Sequence, residues 1–493
     1  INRIQDIGER RLLRQLSQEL GKRHRLVREQ GEVNAGGRRL LRYRVAHNLF
    51  QRYLYNDLSA GERRLLHGEV ARALEELHAR DREPAVVRLA YHYRLAQEPE
   101  KALSYLTQAG HQARRGHANE DATAYYRSAI EQLAQVPFVG REMTQDWHTL
   151  PSELREGLGD VLALTGQHDQ ARCAYEDALA DGPRHDPIWQ ARQERQVGPT
   201  WDPQRLLQNA LQAYRRAETT LESDPREDTA DDWHEWLEVQ LSLVNLHYLC
   251  VSADEMVETL EKIRTAVERH GTPDQQIRFL HNRNLAGTLR DRFVPSEETV
   301  SLSRTALALR QQSGNASSIA HGRFNLAFNL LCRGAIDAAE EQLQRVLEFG
   351  ARTGDAWLET ASLAYLTVAN RKRGQVAEAK HYAIRTLQSA RSNKLDWYTA
   401  MAQANLAWAA WRDGDESGAQ ERAHTALEIW KRLGAISPWR WTALWPLISL
   451  ATSRDDLPGA IDHASALLDP EQQRLPHDLT VHLEGAVQGF EAG

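Results

Sequence analysis

The side chains whose types and spacing could do chemistry are asparagines, arginines and tryptophans that recur at steps of about 40 residues. They are Asn325, Phe328 and Asn329, then Arg371 and Lys372, then Asn405, Trp408, Trp411 and Arg412, with His281, Asn282 and Asn284 in an earlier copy. Asparagine amides can hold a peptide backbone, arginine can grip a carboxylate through two parallel N–H groups, and a tryptophan beside an arginine adds a stacking surface. That is binding chemistry rather than bond-making chemistry. The sequence contains no H-E-x-x-H, no G-x-S-x-G, no G-x-G-x-x-G and no kinase set, so no enzymatic activity is expected of it. Its 20 histidines are scattered singly. His234-Glu235, between Trp233 and Trp236, lacks convergent partners and reads as an ordinary helix position rather than a metal ligand pair. A plainer reading of Trp408, Trp411, Trp430, Trp439, Trp441 and Trp445 is thick packing between long helices, since bulky aromatics bury readily.

The elements that would position these residues show themselves as an internal repeat. Leu158, Gly159, Leu162 and Gly166 mark a first helix and its turn; Ala171, Tyr175 and Ala178 mark a second, and Pro183 closes the unit. Small residues at 159 and 171 let two helices cross closely, while the larger ones fill the space beside the crossing. The spacing returns upstream as Leu89, Ala90, Tyr93, Ala102, Leu106 and Ala109, and as Ala109, Gly110, Ala113, Ala122, Tyr126 and Ala129. From about residue 320 the period lengthens: Leu326, Leu366 and Leu406 are equivalent, Gly334, Gly374 and Gly414 mark the turns, and Ala339, Ala379 and Ala419 the second helices. Weaker copies flank these around Leu246 to Leu260, Leu285 to Ala306, and Leu447 to Ala464. This is the spacing of tetratricopeptide-like helix hairpins. It predicts an all-α solenoid, a right-handed superhelix whose first helices line a concave groove.

Composition agrees. At 493 residues the chain outgrows a single core, and Leu, Ala, Arg, Glu and Gln dominate with only 16 Pro and 30 Gly. Mean hydropathy is −0.60 and no apolar run approaches the roughly 20 residues of a membrane helix, so a cytoplasmic protein is expected. Three cysteines without C-x-x-C or Cys/His spacing suggest neither disulfide nor zinc. The chain opens on Ile1 with no charged-then-apolar leader and is expected to be a piece of a longer protein. Net charge is −7, yet residues 1–80 hold 17 Lys/Arg against 10 Asp/Glu, an excess of +7 that marks a different unit. The expected organisation is residues 1–80 as a winged-helix tail with a linker helix, 81–183 as 34-residue repeats, 184–232 as an irregular joint or distorted unit, and 233–493 as repeats of about 40. Within the front segment an amphipathic helix is expected over residues 4–20. Two short strands, His24–Val27 and Leu40–Val45, should be joined by the turn Asn34-Ala35-Gly36-Gly37. A helix from His47 should then place Phe50, Tyr53 and Leu54 on its inner face.

The strings Leu26-Val27-Arg28-Glu29, Tyr43-Arg44-Val45-Ala46-His47-Asn48-Leu49-Phe50-Gln51, Leu58-Ser59 and Arg63-Arg64-Leu65-Leu66-His67 resemble the region just after the nucleotide-binding core of bacterial STAND-type signalling ATPases. These are relatives of maltose-regulon activators and of SARP-like or cyclase-linked regulators. Leu89-Ala90-Tyr91-His92-Tyr93, Glu98-Pro99-Glu100-Lys101-Ala102 and Ala118-Asn119-Glu120-Asp121-Ala122 look like the first repeats of that group. The resemblance implies a sensor arm that captures a protein, peptide or small-molecule effector and controls an upstream ATPase domain. It also implies that His47, opening a helix, contacts the phosphates of ADP held by that domain, where the helix dipole favours an anion. No G-x-x-x-x-G-K-[ST] loop occurs in these residues, so the chain is expected to hold no cofactor itself and to meet ATP or ADP only through the upstream domain. Two other readings compete. One is an interaction scaffold without a nucleotide link. The other is a DNA-binding regulator using Arg38, Arg39, Arg42 and Arg44, basic residues that can equally dock an acidic domain.

Overall fold

The computed structural model describes residues 8–35, 38–136, 145–183, 186–201, 207–221, 230–250, 252–433 and 437–492, in two compact units, Ile1–Ser223 and Asp224–Gly493. The first unit opens with helix α1 (Glu9–Arg14), prolonged by a π-helical stretch, Gln15–Arg23; residues 4–7 of the expected helix lie outside the described residues. Strands β1 (Val27–Ala35) and β2 (Arg38–Val45) follow as an antiparallel hairpin in register from Val27↔Val45 to Ala35↔Arg38. The expected first strand, His24–Val27, does not form. Pairing begins at Val27 and runs to Ala35 because β1, with polar residues at 28–30, 32 and 34, is defined by its ladder rather than by an apolar alternation. A bulge between Glu29 and Glu32 takes up the one extra residue of β1, with Gly31 at φ +92° supplying the left-handed position.

Helix α2 (Asn48–Asp57) starts after His47, but no residue in it is buried. Phe50, Tyr53 and Leu54 are 46%, 68% and 59% exposed, so the expected inner face is an outer one: no neighbouring element covers it within the described residues. Helix α3 (Ala60–Leu77) then begins on a capping box between Ser59 and Glu62, in which each backbone N–H is satisfied by the other's side chain.

From here helices stack side by side: α4 (Val86–Leu95), α5 (Pro99–Arg115), α6 (Asn119–Leu133), α7 (Gln145–Leu164), α8 (His168–Asp181), α9 (Pro187–Val197) and α10 (Leu207–Thr220). The small and aromatic repeat positions form the seam: Leu89, Ala90, Tyr93, Ala102, Leu106, Ala109, Ala122, Tyr126, Ala129, Ala171, Tyr175 and Ala178 are all buried. At Gly159 a Cβ would stand 2.6 Å from the Tyr175 ring. That ring cannot swing away, because its hydroxyl donates to Asp160 Oδ1 at 2.9 Å and Asp160 is paired with Arg114 at 2.6 Å. The segment 184–232 contains α9 and α10, which pack on α8 and on each other; residues 184–185, 202–206 and 222–229 lie outside the described residues.

The second unit continues with α11 (Ala230–Leu249), α12 (Ala253–His270), α13 (Pro273–Arg290), α14 (Glu297–Ser313), α15 (Ala316–Arg333), α16 (Ile336–Thr353), α17 (Ala356–Lys372), α18 (Val376–Ser392), α19 (Asp396–Arg412), α20 (Glu416–Leu433), α21 (Trp441–Ser453), α22 (Leu457–Leu467) and α23 (His477–Glu491). Here the 40-residue period resolves into equal halves. Residues 314, 334, 354, 374, 394 and 414 all have positive φ, one at the end of each helix from α14 to α19. Five are glycines; the sixth is Lys394, at φ 56°. The chain is an all-α solenoid of tetratricopeptide-like hairpins, with its one described sheet the two-stranded hairpin near the front.

Two changes test this account in opposite directions. Gly159→Ala should lower the stability of the first unit by about 1–3 kcal/mol through overpacking against Tyr175. Lys394→Gly should raise that of the second by about 1 kcal/mol by removing the left-handed penalty on a side-chain-bearing residue. Urea unfolding followed by circular dichroism reads both.

Candidate functional site

In the second unit the first helices of successive hairpins are α13, α15, α17, α19 and α21. Helices α17 and α19 are buried almost all round: Thr360 through Arg371 and Ala400 through Ala409 are all buried. One side packs on the second helices. Two non-helical stretches of the same unit, residues 437–440 and 468–476, lie nearby, the first reaching α17 and α15 through Trp439 and the second the ends of α13 and α15. Trp439 sets its ring edge-on to Tyr365 and Phe328, with centroids 5.7 and 6.3 Å away. Gln473 donates from Nε2 to the carbonyls of Phe293 and Cys332 at 3.0 and 3.2 Å, and Arg474 N–H donates to the Arg292 carbonyl at 2.8 Å. The two stretches are tied to each other, Gln473 N–H to the Pro438 carbonyl at 3.3 Å and Arg440 to Asp469 at 3.0 Å. Together they form a strap across the C-terminal ends of α13 and α15.

The sequence-predicted groove residues fall into two groups beneath it. In the first, Asn284 Nδ2 donates to the Thr299 carbonyl and to Ser303 Oγ, both at 2.8 Å. Asn329 Nδ2 donates to Asn284 Oδ1 at 3.0 Å and Ser303 Oγ at 2.8 Å, and its Oδ1 accepts from Thr288 at 3.1 Å. These amides are satisfied inside the fold and lock α13, α14 and α15 in register. Asn282 is also buried, and Asn325 donates toward His281 at 3.2 Å. Burial pushes the His281 imidazole down to about 4, with Arg310 adding to the effect, so it is neutral at ordinary pH.

The second group is Arg371, Lys372, Asn405, Trp408, Trp411 and Arg412. The Arg371 guanidinium lies between the rings of Trp408 and Trp441, 5.1 Å from each centroid. Its Nη1 donates to the carbonyls of Thr442 (2.8 Å) and Ala404 (3.4 Å) and to Asn405 Oδ1 (3.3 Å). Burial pushes its pKa down to about 9, so it keeps its charge at neutral pH. A desolvated cation over an aromatic face gains about 2 kcal/mol, whereas stripping a cation of water costs several, so the two indoles do not fully offset the burial. Lys372 reaches the Leu331 carbonyl at 3.5 Å, and Arg412, exposed, lies 5.7 Å from the Trp408 ring. Trp411 and Phe328 are half-buried packing groups, the first beside Trp408 and Ala379, the second against Tyr365. Sequence reasoning treated Trp439 and Trp441 as packing and missed the strap. The signal was the run Ser437-Pro438-Trp439-Arg440-Trp441, where the 20-residue rhythm of turns breaks.

In the first unit His47 precedes α2 without a side-chain cap and is exposed. It lines a cleft of about 480 Å³ with Arg28, Gln30, Arg44, Val45, Ala46, Asn48 and Leu49. Arg42 and Arg44 are exposed on β2, and Arg39 stands 3.9 Å from Glu32; the side chain of Arg38 lies outside the described residues. Helix α2 is held to α3 by Tyr55, whose hydroxyl lies 3.0 Å from His67 Nε2, while Arg63 sits 5.4 Å from its ring. His67 in turn meets His92 through their Nδ1 atoms at 2.8 Å. One of the pair must be the donor and the other the acceptor, so the contact requires neutral imidazole. Burial lowers both pKa values, that of His92 to about 4 with help from His67 and Arg88. Among the described residues no group of three or more His, Cys, Asp or Glu could hold a metal, and no helix is long and apolar enough to cross a membrane.

The pH dependence follows. An unfolded histidine titrates near 6.5, so below that the unfolded chain binds protons that the folded pair refuses. The stability contributed by the His67–His92 contact is complete above about pH 6.5 and is lost as pH falls toward 4. A His92→Gln variant should unfold with a visibly flatter dependence on pH over that window, read by thermal melts of the first unit.

Comparison with known proteins gives similarity of fold alone. No family model matches the chain, and no curated protein matches its sequence. Among solved structures the apo form of RapI is 12% identical, with 78% of this chain and 98% of that one covered and a TM-score of 0.51. A STAND protein with a tetratricopeptide repeat sensor from Pyrococcus horikoshii is 13% identical over 80% of this chain, with a TM-score of 0.48; this chain spans 56% of its length. A Rap protein complexed with competence and sporulation factor is 14% identical, with 73% and 99% covered and a TM-score of 0.45. The likeness to RapI and the 20-residue rhythm of helix ends agree: the chain is a tetratricopeptide-like helical-repeat protein.

Proposed function

We infer that the chain is the sensor arm of a STAND-type signalling protein. It acts by binding rather than by catalysis, in the cytoplasm, with residues 1–80 docked on an upstream nucleotide-binding domain. The observation that carries this reading is the state of α2. Leu49, Phe50, Tyr53 and Leu54 stand exposed on a segment with excess positive charge, beside the cleft of Arg28, Arg44 and His47. Four large apolar side chains on one short helix are an interaction surface rather than a solvated face. A second domain seated there would bring its bound phosphates within reach of two guanidinium groups and an imidazole at a helix N-terminus. Several of the solenoid neighbours are peptide- or protein-linked by their names, including the Rap protein complexed with competence and sporulation factor and NprR in complex with its peptide NprX. In this reading a protein, peptide or small effector captured by the solenoid biases the upstream domain between closed and open states through differential contacts in the two.

In the protein that carries the upstream domain, exchanging ADP for ATP should change the radius of gyration measured by small-angle scattering, and His47→Ala should speed ADP release. A radius indifferent to nucleotide would instead favour a plain assembly scaffold. A second reading, nucleic-acid binding, is favoured by the exposed Arg42 and Arg44 on β2. It requires oligonucleotide affinity to fall steeply with salt, with a log–log slope of about −0.9 per phosphate contacted; a flat response removes it.

A further inference from the structure

Among the described residues, the buried Arg371 of the second unit is answered by no carboxylate. Arg371 is 6% exposed, and its hydrogen bonds all leave from Nη1, toward two carbonyls and an amide oxygen. Neither it nor Lys372 has a carboxylate within ion-pair distance among the described residues. The Lys372 ammonium stands 6.0 Å from the ring of Trp441, the same ring that faces the Arg371 guanidinium at 5.1 Å. Trp441 adds a third donor, since its Nε1 is buried with no acceptor. The nearby Cys332 thiol supplies no anion, because burial pushes it up to about 12. The Arg371 guanidinium is thus met only by neutral oxygens on one nitrogen, the Lys372 ammonium only by the Leu331 carbonyl at 3.5 Å and the Trp441 indole N–H by none, and a buried cation answered only by neutral groups is disfavoured relative to one paired with an anion.

We propose that Arg371, Lys372 and Trp441 form the anchoring site for the carboxylate of an organic ligand whose apolar body lies among Phe328, Tyr365, Trp408 and Trp439. This rests on the reading of the solenoid as a sensor and specifies the chemistry of what it senses. A carboxylate fits better than a free phosphate for two reasons. The unused edge of a guanidinium matches two carboxylate oxygens side by side, and the surrounding aromatic rings suit an apolar body rather than a hydrated dianion. The strap closes the site: Trp439 covers Tyr365, and the Thr442 carbonyl occupies the guanidinium from the strap side. Entry of the ligand requires residues 437–441 to lift, and the partly exposed Arg440–Asp469 pair and the Gln473 N–H to Pro438 carbonyl bond are the contacts that must open. Binding and strap movement are then one event, which gives the solenoid two states for a ligand to choose between.

The experiment titrates the full chain with N-acetyl-Leu-Leu bearing a free carboxylate and with the corresponding amide, reading tryptophan fluorescence and the thermal midpoint. The acid should bind at least tenfold more tightly than the amide and raise the midpoint. Arg371→Met, which deletes the unanswered charge, should raise the midpoint of the ligand-free protein while abolishing the preference for the acid. Lys372→Gln, at a half-buried position that leaves the fold intact by circular dichroism, should reduce that preference at least threefold. Equal binding of acid and amide, or no binding of either, overturns the carboxylate site and leaves the sensor reading to the nucleotide-dependent scattering. A lowered ligand-free midpoint in Arg371→Met, with the preference unchanged in Lys372→Gln, overturns it as well.

Discussion

Each helix from α14 to α19 ends at a residue held in left-handed backbone conformation, and that constraint sets what is built on top of it. Residues 314, 334, 354, 374, 394 and 414 share positive φ, so each helix stops after 17 or 18 residues and the next runs back alongside it. L-residues resist that conformation, and glycine accepts it freely. With the reversal fixed at equal intervals, the same helix positions meet at every crossing. Ala339, Ala379 and Ala419 occupy the close contact, while Leu326, Leu366 and Leu406 fill the space around it. In the first unit the close contacts are made instead by glycines under tyrosine rings, as Gly159 under Tyr175, and turn positions fall on Gln97 and His117 as well as on Gly166.

A stack of hairpins leaves the inner face of its first helices uncovered, and in most solenoids that face is wet. Here the second unit covers its own. The strap seats Trp439 on Tyr365 and passes Gln473 to carbonyls at the ends of α13 and α15, which converts a groove into something close to a core. Two polar clusters beneath it have different standing. Asn284, Asn329, Thr288 and Ser303 satisfy one another and behave as a register lock. Arg371 is only partly satisfied, by oxygens that carry no net charge. A fully bonded network stabilises a fold, and a half-bonded buried cation does not, so the second cluster is where the structure departs from what stability alone would select.

The front segment departs in the opposite sense. Helix α2 buries nothing, although Leu49, Phe50, Tyr53 and Leu54 would serve well in a core. Its attachment to the body runs through a tyrosine and a pair of imidazoles rather than through apolar packing. The helix is held by polar hooks, and its apolar side chains stay uncovered among the described residues.

The hairpin repeat was legible because it depends on local chemistry. Glycine where φ turns positive, alanine where helices touch and leucine beside them are choices dictated within one hairpin, so Gly334, Gly374 and Gly414 announced the turns without coordinates. Lys394 was illegible because a side-chain-bearing residue can take the same conformation at an energetic cost that the sequence pattern does not display. The candidate site was half legible. The sequence brought Arg371, Asn405 and Trp408 onto neighbouring first helices, since their spacing matches the repeat. Only the tertiary structure decided that Trp441 and the strap close over them and that α2 faces outward. Those outcomes depend on contacts between residues up to 180 positions apart, where no local periodicity carries information.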